Sequence, residues 1–536
     1  MSAVSATEKW WLPGALAVLL LVLLAGLPLF TLISSASDLS LSHVFGNSYY
    51  IRVIWFSFYQ ALLSALLSVV LAIPVALSLS RERHFWGRQT LIHLYSLSLV
   101  IPTLVAIFGL VAVYGRTGWL NQILTEFGWD RFSIYGLSGI LIAHIFFNMP
   151  LATRVFLHSL DSIPNEQWRL ATQLRMSAIA QYRFIEWPAM KSQLVGLFML
   201  IFTLCFTSFT IVLTLGGGPR ATTIEVAIYQ ALRFDFDLNS AVSLAIAQLL
   251  ICTVLLFASS LFKQQRIVSF GYQAKNSLFK PVPGTRWLNG LIISIAAGFV
   301  VLPLLGLMIF AINPATVDVL LHPNTIKACV NTVVISIFSA VIALIIGLGL
   351  LITSRHLRIR LLRSHVGLWL QQSGNVILAM PAVVLGTGLF LLLRDVADVF
   401  SIALVLAMII NSVMALPFVL RILDGPLMKA GAQHDRLVQS LGIMGWSRWR
   451  LIDWPLIRKP IGFALGISAT LSAGDLSAIA LFGSERALTL PLLLYQRMGG
   501  YRFYEAAATA VLLLCVCFTL FVLIQSLFGS SDNAEA

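Results

Sequence analysis

One carboxylate stands out among the residues that could do chemistry. Asp475 lies within the apolar run LSAGDLSAIALFG, and we predict that it is the only acidic residue well inside such a run. A carboxylate among apolar residues attracts a cation, and neighbouring aromatic faces attract a cation as well. The same carboxylate could instead cap a helix or hydrogen-bond to its neighbours. The sequence leaves both interpretations open.

Catalytic and nucleotide-binding patterns are absent from the sequence. It has no Gly-x-x-x-x-Gly-Lys-[Ser/Thr] loop to hold nucleotide phosphates, and no His-Glu-x-x-His, Cys-x-x-Cys or Gly-x-Ser-x-Gly. The glycine-rich run GGGPR at 216–220 lacks the lysine and is typical of a turn. The sequence therefore predicts no catalytic residue, no metal site and no cofactor in this chain.

The composition indicates that most of the chain lies in a membrane. Of its 536 residues, 59% are hydrophobic and 11% are charged, whereas soluble proteins carry about 25% charged residues. Apolar runs of about 20 residues are long enough for a helix to cross a bilayer. The net charge of +13 comes from Lys and Arg in short loops between these runs, which argues against a nucleic-acid partner. We therefore expect an all-α polytopic membrane protein that contacts the lipid bilayer.

Twelve spans are predicted, six in each half of the chain. In the N-terminal half, 1–262, they lie near 11–33, 54–79, 92–114, 134–157, 193–215 and 238–262. In the C-terminal half, 287–536, they lie near 287–313, 328–353, 370–393, 400–422, 461–483 and 506–528. The polar stretch 263–286 is a linker between the halves. Most of the 35 Lys and Arg residues fall on the side of the linker, so both termini and the linker are predicted to be cytoplasmic.

A sequence repeat relates the two halves. Residues 169–188 (RLATQLRMSAIAQYRFIEWP) and 436–455 (RLVQSLGIMGWSRWRLIDWP) align without a gap at an offset of 267. Each copy falls in a long cytoplasmic loop after the fourth span of its half, at 158–191 and at 423–459. These loops mix charged and apolar residues, which is typical of short helices at a membrane surface. A duplicated element of this kind predicts a twofold or pseudo-twofold cytoplasmic partner.

The two segments resemble the signature loop of bacterial ABC-importer permeases, which reads Glu-Ala-Ala, three residues, Gly, nine residues, Ile, one residue, Leu, Pro. The second copy keeps the glycine as Gly442, whereas the first has Arg175 there, and arginine replaces the glutamate in both. In that family the loop's short helix sits in a groove of the ATPase subunit. The resemblance assigns ATPase coupling to Arg169, Leu170, Ala171, Leu174, Arg175, Ile185, Pro188, Arg436, Leu437, Leu441, Gly442, Ile452 and Pro455.

The resemblance extends over nearly the whole chain. FSFYQALLSALLSVVLAIPVALSLSR (56–81) and LTLGGGPRATTIEVAIYQAL (213–232) are similar to fused permeases of thiamine importers. This implies the type I ABC-importer permease fold, a bacterial inner-membrane location and no enzymatic activity of its own. It also implies a periplasmic binding protein, two copies of an ATPase subunit that binds the ATP, and thiamine or its phosphates as substrate.

Two alternatives stay open at this point. Fused ferric-iron permeases share the twelve-span layout, so ferric iron is the alternative substrate. A secondary transporter of the major facilitator type also has six-plus-six repeats. Ion coupling usually needs several titratable groups within the membrane, and only one is predicted here, which disfavours the facilitator.

The candidate residues of a translocation path follow from the repeat. At the offset of 267, Asp475 aligns with Ser208, which lies between Phe206 and Phe209. We expect these four residues to line the path, where a carboxylate and aromatic rings would attract the cationic ring of thiamine. His144, in the fourth predicted span, is expected to hydrogen-bond between helices instead of binding a ligand.

Overall fold

The protein is helical wherever its structure is described. The computed structural model describes residues 10–35, 46–97, 100–260, 286–443, 445–485 and 487–529, and these ranges contain no β-strand. Eleven of their helices are long and apolar enough to cross a membrane, and the shorter apolar helix Ala382–Leu393 occupies the predicted ninth span. The predicted all-α membrane fold is therefore confirmed.

Twenty-four α-helices make up these ranges. In the N-terminal half they are α1 (Leu12–Leu21), α2 (Leu27–Ser34), α3 (Ser48–Arg81), α4 (Arg88–Leu97), α5 (Thr103–Tyr114), α6 (Trp119–Glu126), α7 (Leu137–Asp161), α8 (Asn165–Gln173), α9 (Ala178–Gln181), α10 (Trp187–Phe206), α11 (Thr210–Leu215), α12 (Ile224–Arg233) and α13 (Leu238–Ser260). In the C-terminal half they are α14 (Arg286–Ala311), α15 (Ala315–Leu321), α16 (Pro323–Arg355), α17 (Ser364–Asn375), α18 (Ala382–Leu393), α19 (Ala403–Ser440), α20 (Gly445–Arg448), α21 (Trp454–Gly474), α22 (Ser477–Phe482), α23 (Leu490–Gly499) and α24 (Phe503–Gly529). Short π-helical or 3-10 turns lie at Val22–Gly26, Tyr182–Glu186, Pro219–Ala221, His356–Arg360, Val376–Ala379 and Trp449–Asp453.

The fifth and eleventh predicted spans are each broken at the same point of the repeat. The fifth consists of α10 and α11, and the eleventh consists of α21 and α22. The break in the eleventh leaves Asp475 in an extended conformation, at φ −78° and ψ 129°. Non-helical backbone at membrane depth is tolerated only where protein buries it or where it lines a cavity. These two breaks are therefore the positions to inspect for a site within the membrane.

Unit 1 of the structure comprises the described residues of 1–43, 228–249 and 314–536. Within it, α1 packs closely on α16. The backbone N–H of Gly14 donates to Thr353 Oγ1 at 2.9 Å, and a Cβ added to Gly349 would lie 2.6 Å from the carbonyl oxygen of Pro13. The first helix of the chain thus packs among helices of the C-terminal half.

Unit 2 comprises the described residues of 44–227 and 250–313. Within it, α14 packs on α3 and α5. Asn289 Nδ2 on α14 donates to Glu82 Oε1 at 3.2 Å, and Gly109 on α5 makes room for the carbonyl group of Pro303. Each unit therefore includes the first spanning helix of the other sequence half. The division into halves at 1–262 and 287–536 stays a prediction, and the linker 263–286 lies, except for Arg286, outside the described residues.

The glycine-rich run after α11 forms the predicted turn. Gly217 and Gly218 have φ values of 70° and 129°. Side chains other than hydrogen disfavour both conformations, so glycine is needed to reverse the chain here. The interpretation of this run as a turn is confirmed.

The close approach of α1 and α16 yields a prediction about stability. We expect Gly349→Ala to destabilise the protein by about 1–3 kcal/mol, because the added methyl group collides with the backbone at Pro13. Gly298→Ala on α14 is the matched control, since a Cβ there meets nothing within 4 Å. The measurement is the thermal unfolding of both variants in detergent. Equal midpoints for the two variants would contradict the close packing.

Candidate coupling segments and membrane site

The first coupling segment presents two leucines outside the predicted spans. In α8, Trp168 and Ala171 are buried, which orients the opposite side of the helix outwards. Leu170 and Leu174 lie on that outer side, with 55% and 65% of their surface exposed. Residues four apart share one face of a helix, so the two leucines form a single apolar patch. Ala171 is a packing residue, whereas the leucines are free to meet another molecule.

The second coupling segment repeats this arrangement at the end of α19. Val438 is buried at the position of Ala171, and Asp435 is buried at the position of Trp168. Leu437 and Leu441 are 54% and 62% exposed. The repeat thus keeps the same face of both helices apolar and exposed, although only part of the family motif survives in either copy.

A left-handed residue ends the helix in both segments. Arg175 has φ 48° and Gly442 has φ 63°, at equivalent repeat positions. In the first segment, the N–H of Met176 donates to the carbonyl of Ala171 at 3.0 Å, and in the second, the N–H of Ile443 donates to that of Val438 at 3.1 Å. These bonds are typical of a helix end closed by a left-handed residue. The family glycine therefore has a conformational role, which Arg175 fulfils at a backbone cost.

Two further apolar positions are exposed in both segments. Ile179 and Trp446 are equivalent in the repeat and both are exposed, as are Phe184 and Leu451. A comparison of identical residues in the repeat does not find these positions, because the two pairs share only apolar character. The arginines Arg169 and Arg436 are exposed as well, whereas Ile185 and Ile452 are partly buried. Pro188 and Pro455 lie in the first turns of α10 and α21, where a missing N–H removes no helical bond.

Buried ion pairs connect each segment to the helix that forms the second predicted span of the same sequence half. In unit 2, Arg81 at the end of α3 contacts both carboxylate oxygens of Glu186, at 3.1 and 2.5 Å. In unit 1, Arg355 at the end of α16 contacts both oxygens of Asp453, at 2.7 and 3.0 Å. Glu186 and Asp453 occupy equivalent repeat positions, in the π-helical turns just before the Trp-Pro pairs. Neither pair was predicted from the sequence, although acidic residues at one repeat position could have indicated them.

The second segment carries additional ion pairs. Arg448 contacts Asp453 at 3.3 Å and also contacts Asp435. Arg358 contacts Asp424 at 3.0 Å. Because Asp424 and Asp435 both belong to α19, these pairs join the length of the coupling helix to the end of α16 and to α20. The corresponding carboxylate of the first segment is absent, since Trp168 stands at the position of Asp435.

Asp475 lines a small cavity in unit 1. The carboxylate accepts a hydrogen bond from the backbone N–H of Ala478 at 3.2 Å, so it closes the start of α22. Its neighbours around the cavity include Asn411, whose Nδ2 donates to Ser472 Oγ at 3.0 Å. Thr489 also lines the cavity, and its hydroxyl is buried without a hydrogen-bond partner. Both interpretations of Asp475 thus have a structural basis, as a cap and as a charge facing a cavity.

The equivalent region of unit 2 is packed with larger side chains. Phe206 is 1% exposed and its ring lies 5.1 Å from that of Phe58. Phe209 is also buried, and Ser208 is partly exposed. The assignment of Phe206, Ser208, Phe209 and Asp475 to a translocation path stays a prediction. His144 shares a hydrogen bond of 2.8 Å with Ser64 on a neighbouring helix, as expected of an interhelical contact.

Comparison with known proteins establishes the family. The family described as "Binding-protein-dependent transport system inner membrane component" matches residues 68–268. The thiamine transport system permease protein ThiP of Salmonella typhimurium is 40% identical over 529 residues, which cover 98% of each chain. This chain belongs to the thiamine transport system permease family. ThiP of Haemophilus influenzae is also 40% identical, over 97% of each chain. A bacterial ABC transporter involved in alginate import covers 47% of this permease and 94% of its own chain, at 17% identity and a TM-score of 0.40.

Membership of the family has direct consequences for this permease. It is a multi-pass inner-membrane protein and the membrane subunit of a binding-protein-dependent transport system. Its relatives are named as transport permeases. A permease of this family works with an ATPase subunit and a binding protein.

The ion pair of unit 2 leads to a stability prediction for the permease. We expect Glu186→Gln to destabilise it by about 3 kcal/mol or more, because Arg81 is then left largely buried without its counter-charge. Asp395→Asn is the control, since Asp395 and its partner Arg394 are both exposed and such pairs contribute about 1 kcal/mol at most. Thermal unfolding in detergent measures both. A Glu186→Gln protein as stable as Asp395→Asn would show that the pair is unimportant.

The two residues with positive φ that end the coupling helices lead to opposite predictions. We expect Gly442→Ala to destabilise the end of its helix by about 1 kcal/mol, and Arg175→Gly to stabilise the other by a similar amount. Amide hydrogen exchange of residues 171–176 and 438–443 measures each helix end separately. Faster exchange in the Arg175→Gly protein would contradict the assigned role of this position.

Proposed function

We propose that this chain is the membrane-spanning permease of an ATP-binding-cassette importer that carries thiamine, or its phosphates, from a periplasmic binding protein into the cytoplasm. The observation that supports the substrate is 40% identity, over 98% of both chains, to a permease named for thiamine transport. No residue contact alone identifies thiamine. The cavity beside Asp475 is compatible with a cationic substrate.

The duplicated coupling segments support the driving machinery. Each presents a pair of exposed leucines on one helix face, Leu170 with Leu174 and Leu437 with Leu441. Apolar patches rimmed by charged residues mark protein interaction sites. Two equivalent patches on one chain favour two copies of one ATPase subunit, which would bind and hydrolyse the ATP while this chain binds no cofactor. The predicted cytoplasmic position of both termini puts these patches on the side where ATP is available.

Motion is then passed from the ATPase to the spans through the ion pairs. A shift of either coupling segment pulls on Glu186 or Asp453, and hence on Arg81 at the end of α3 or Arg355 at the end of α16. Breaking such a buried pair is costly, so the connected helices move together. The ion pairs therefore connect the closure of the ATPase subunits on ATP with the helix movements of alternating access.

The function is tested by reconstituting the permease with its ATPase in nanodiscs and adding binding proteins. We expect a thiamine-loaded binding protein to stimulate ATP hydrolysis more than the same protein without thiamine. Stimulation only by a ferric-iron-loaded binding protein would replace the substrate and keep the machinery. If no ATPase subunit associates with the permease, the importer assignment is wrong and a secondary transporter becomes the better explanation.

The exposed leucines lead to a prediction about ATPase association. We expect Leu437→Asp to weaken ATPase binding by roughly 30-fold or more, as the loss of an interface residue worth about 2 kcal/mol implies. Val396→Asp is the matched control, because Val396 is equally apolar and exposed but lies outside both coupling segments. Co-purification and ATP hydrolysis are the measurements. Equal ATPase binding by both variants would exclude Leu437 from the docking surface.

A further inference from the structure

The two broken spans, α10–α11 and α21–α22, differ in composition at their breaks. Where the N-terminal half has Phe206 and Ser208, the C-terminal half has Ala473 and Asp475 at the offset of 267. The backbone is matched closely, because α11 and α22 begin and end one offset apart. One substitution removes a phenyl ring and the other adds a carboxylate, within three residues of each other.

The missing phenyl ring has a visible effect in unit 1. Phe206 in unit 2 is buried against Phe58 and Phe202, whereas Ala473 in unit 1 lines the small cavity that also contains Asp475. Among the described residues, no Lys, Arg or His nitrogen lies within 4.0 Å of the Asp475 carboxylate. Glu186 and Asp453, in contrast, are each paired with an arginine. Within the part of the chain that the structure describes, Asp475 is therefore a carboxylate in a membrane span without an ion-pair partner.

A second polar group faces the same cavity without a partner. The hydroxyl of Thr489 is 4% exposed as a residue and makes no hydrogen bond. Asn411 is held in place by Ser472, on the same helix as Ala473. A carboxylate and a hydroxyl without a hydrogen-bond partner, beside the apolar side chains of Ile335, Ile479 and Pro491, suit an organic cation, because the carboxylate matches its charge.

We propose that the cavity formed by Asp475, Thr489, Asn411 and Ala473 is a subsite for the positively charged ring of the substrate, and that the permease has this subsite in its C-terminal half alone. The inference rests on the proposed function, because thiamine carries a quaternary thiazolium ring. The cavity has room for about one water molecule in this conformation, so it must widen to admit the ring. The carboxylate attracts the charged end.

Asp475→Asn is the decisive variant. Asparagine has the same shape and can still accept the hydrogen bond from Ala478 N–H, so the start of α22 is kept while the charge is lost. We expect thiamine uptake into proteoliposomes, driven by the ATPase and the binding protein, to fall at least tenfold. Asp318→Asn removes an exposed carboxylate of unit 1 and is the matched control. Its uptake is expected to equal that of the unchanged protein.

A charge-specific measurement separates binding from structure. Thiamine competes with an uncharged analogue, in which carbon replaces the quaternary ring nitrogen, for binding to the permease–ATPase complex in nanodiscs. We expect the unchanged protein to prefer thiamine at least tenfold and Asp475→Asn to lose that preference. Ala473→Phe, which copies the N-terminal half, is expected to weaken binding of both compounds. Unfolding midpoints of the complexes identify any variant that fails to fold.

The outcomes distinguish the two proposals. If the unchanged protein takes up no thiamine, the proposed function fails and this inference fails with it. If uptake is normal but Asp475→Asn equals the unchanged protein, only the subsite is wrong. An Asp475→Asn protein that loses affinity for both compounds equally shows a structural role for the carboxylate, and this also overturns the subsite.

Discussion

A carboxylate buried away from water must be paired with a positive charge or hydrogen-bonded, and the arrangement of this permease depends on these pairings. Glu186 and Asp453 are paired with arginines at the ends of α3 and α16, about a hundred residues away along the chain. Each pair fixes the start of a broken span against the end of a continuous one. The coupling segments are consequently part of the helix bundle and not loose loops beneath it. Asp475 instead accepts a hydrogen bond from the backbone N–H of Ala478, and no ion pair to it occurs among the described residues.

The repeat is most informative where its two copies disagree. Agreement, as at Leu170 and Leu437, marks what both halves must do, which is to present an apolar face. The difference between Phe206 and Ala473 coincides with the substrate subsite proposed for the C-terminal half. The two halves of a duplicated chain can differ in function in this way. A transporter that moves one substrate molecule needs a coupling surface in both halves and a substrate contact in one.

Much of the architecture could be predicted from the sequence, because membrane spans are local and their apolar runs are long. The repeat also predicted apolar residues in the coupling segments, and the glycine-rich run predicted the turn at Gly217 and Gly218. The ion pairs and the packing of α1 on α16 could not be predicted, since they join residues far apart in the chain and no local pattern indicates them. The cavity could not be predicted either, because the residues that line it, among them Asn411, Ala473 and Thr489, come from separate parts of the chain.

The two coupling helices differ in how they continue into the preceding span. α19 runs without interruption from Ala403 to Ser440, and its 38 residues correspond to a rod of about 57 Å, nearly twice the thickness of the hydrocarbon core. α8 is instead separated from α7 by the short break at 162–164, which ends in a proline. A shift of the second coupling segment is therefore carried along one helix, α19, whereas a shift of α8 reaches α7 through a non-helical break. The continuous connection belongs to the unit that contains Asp475.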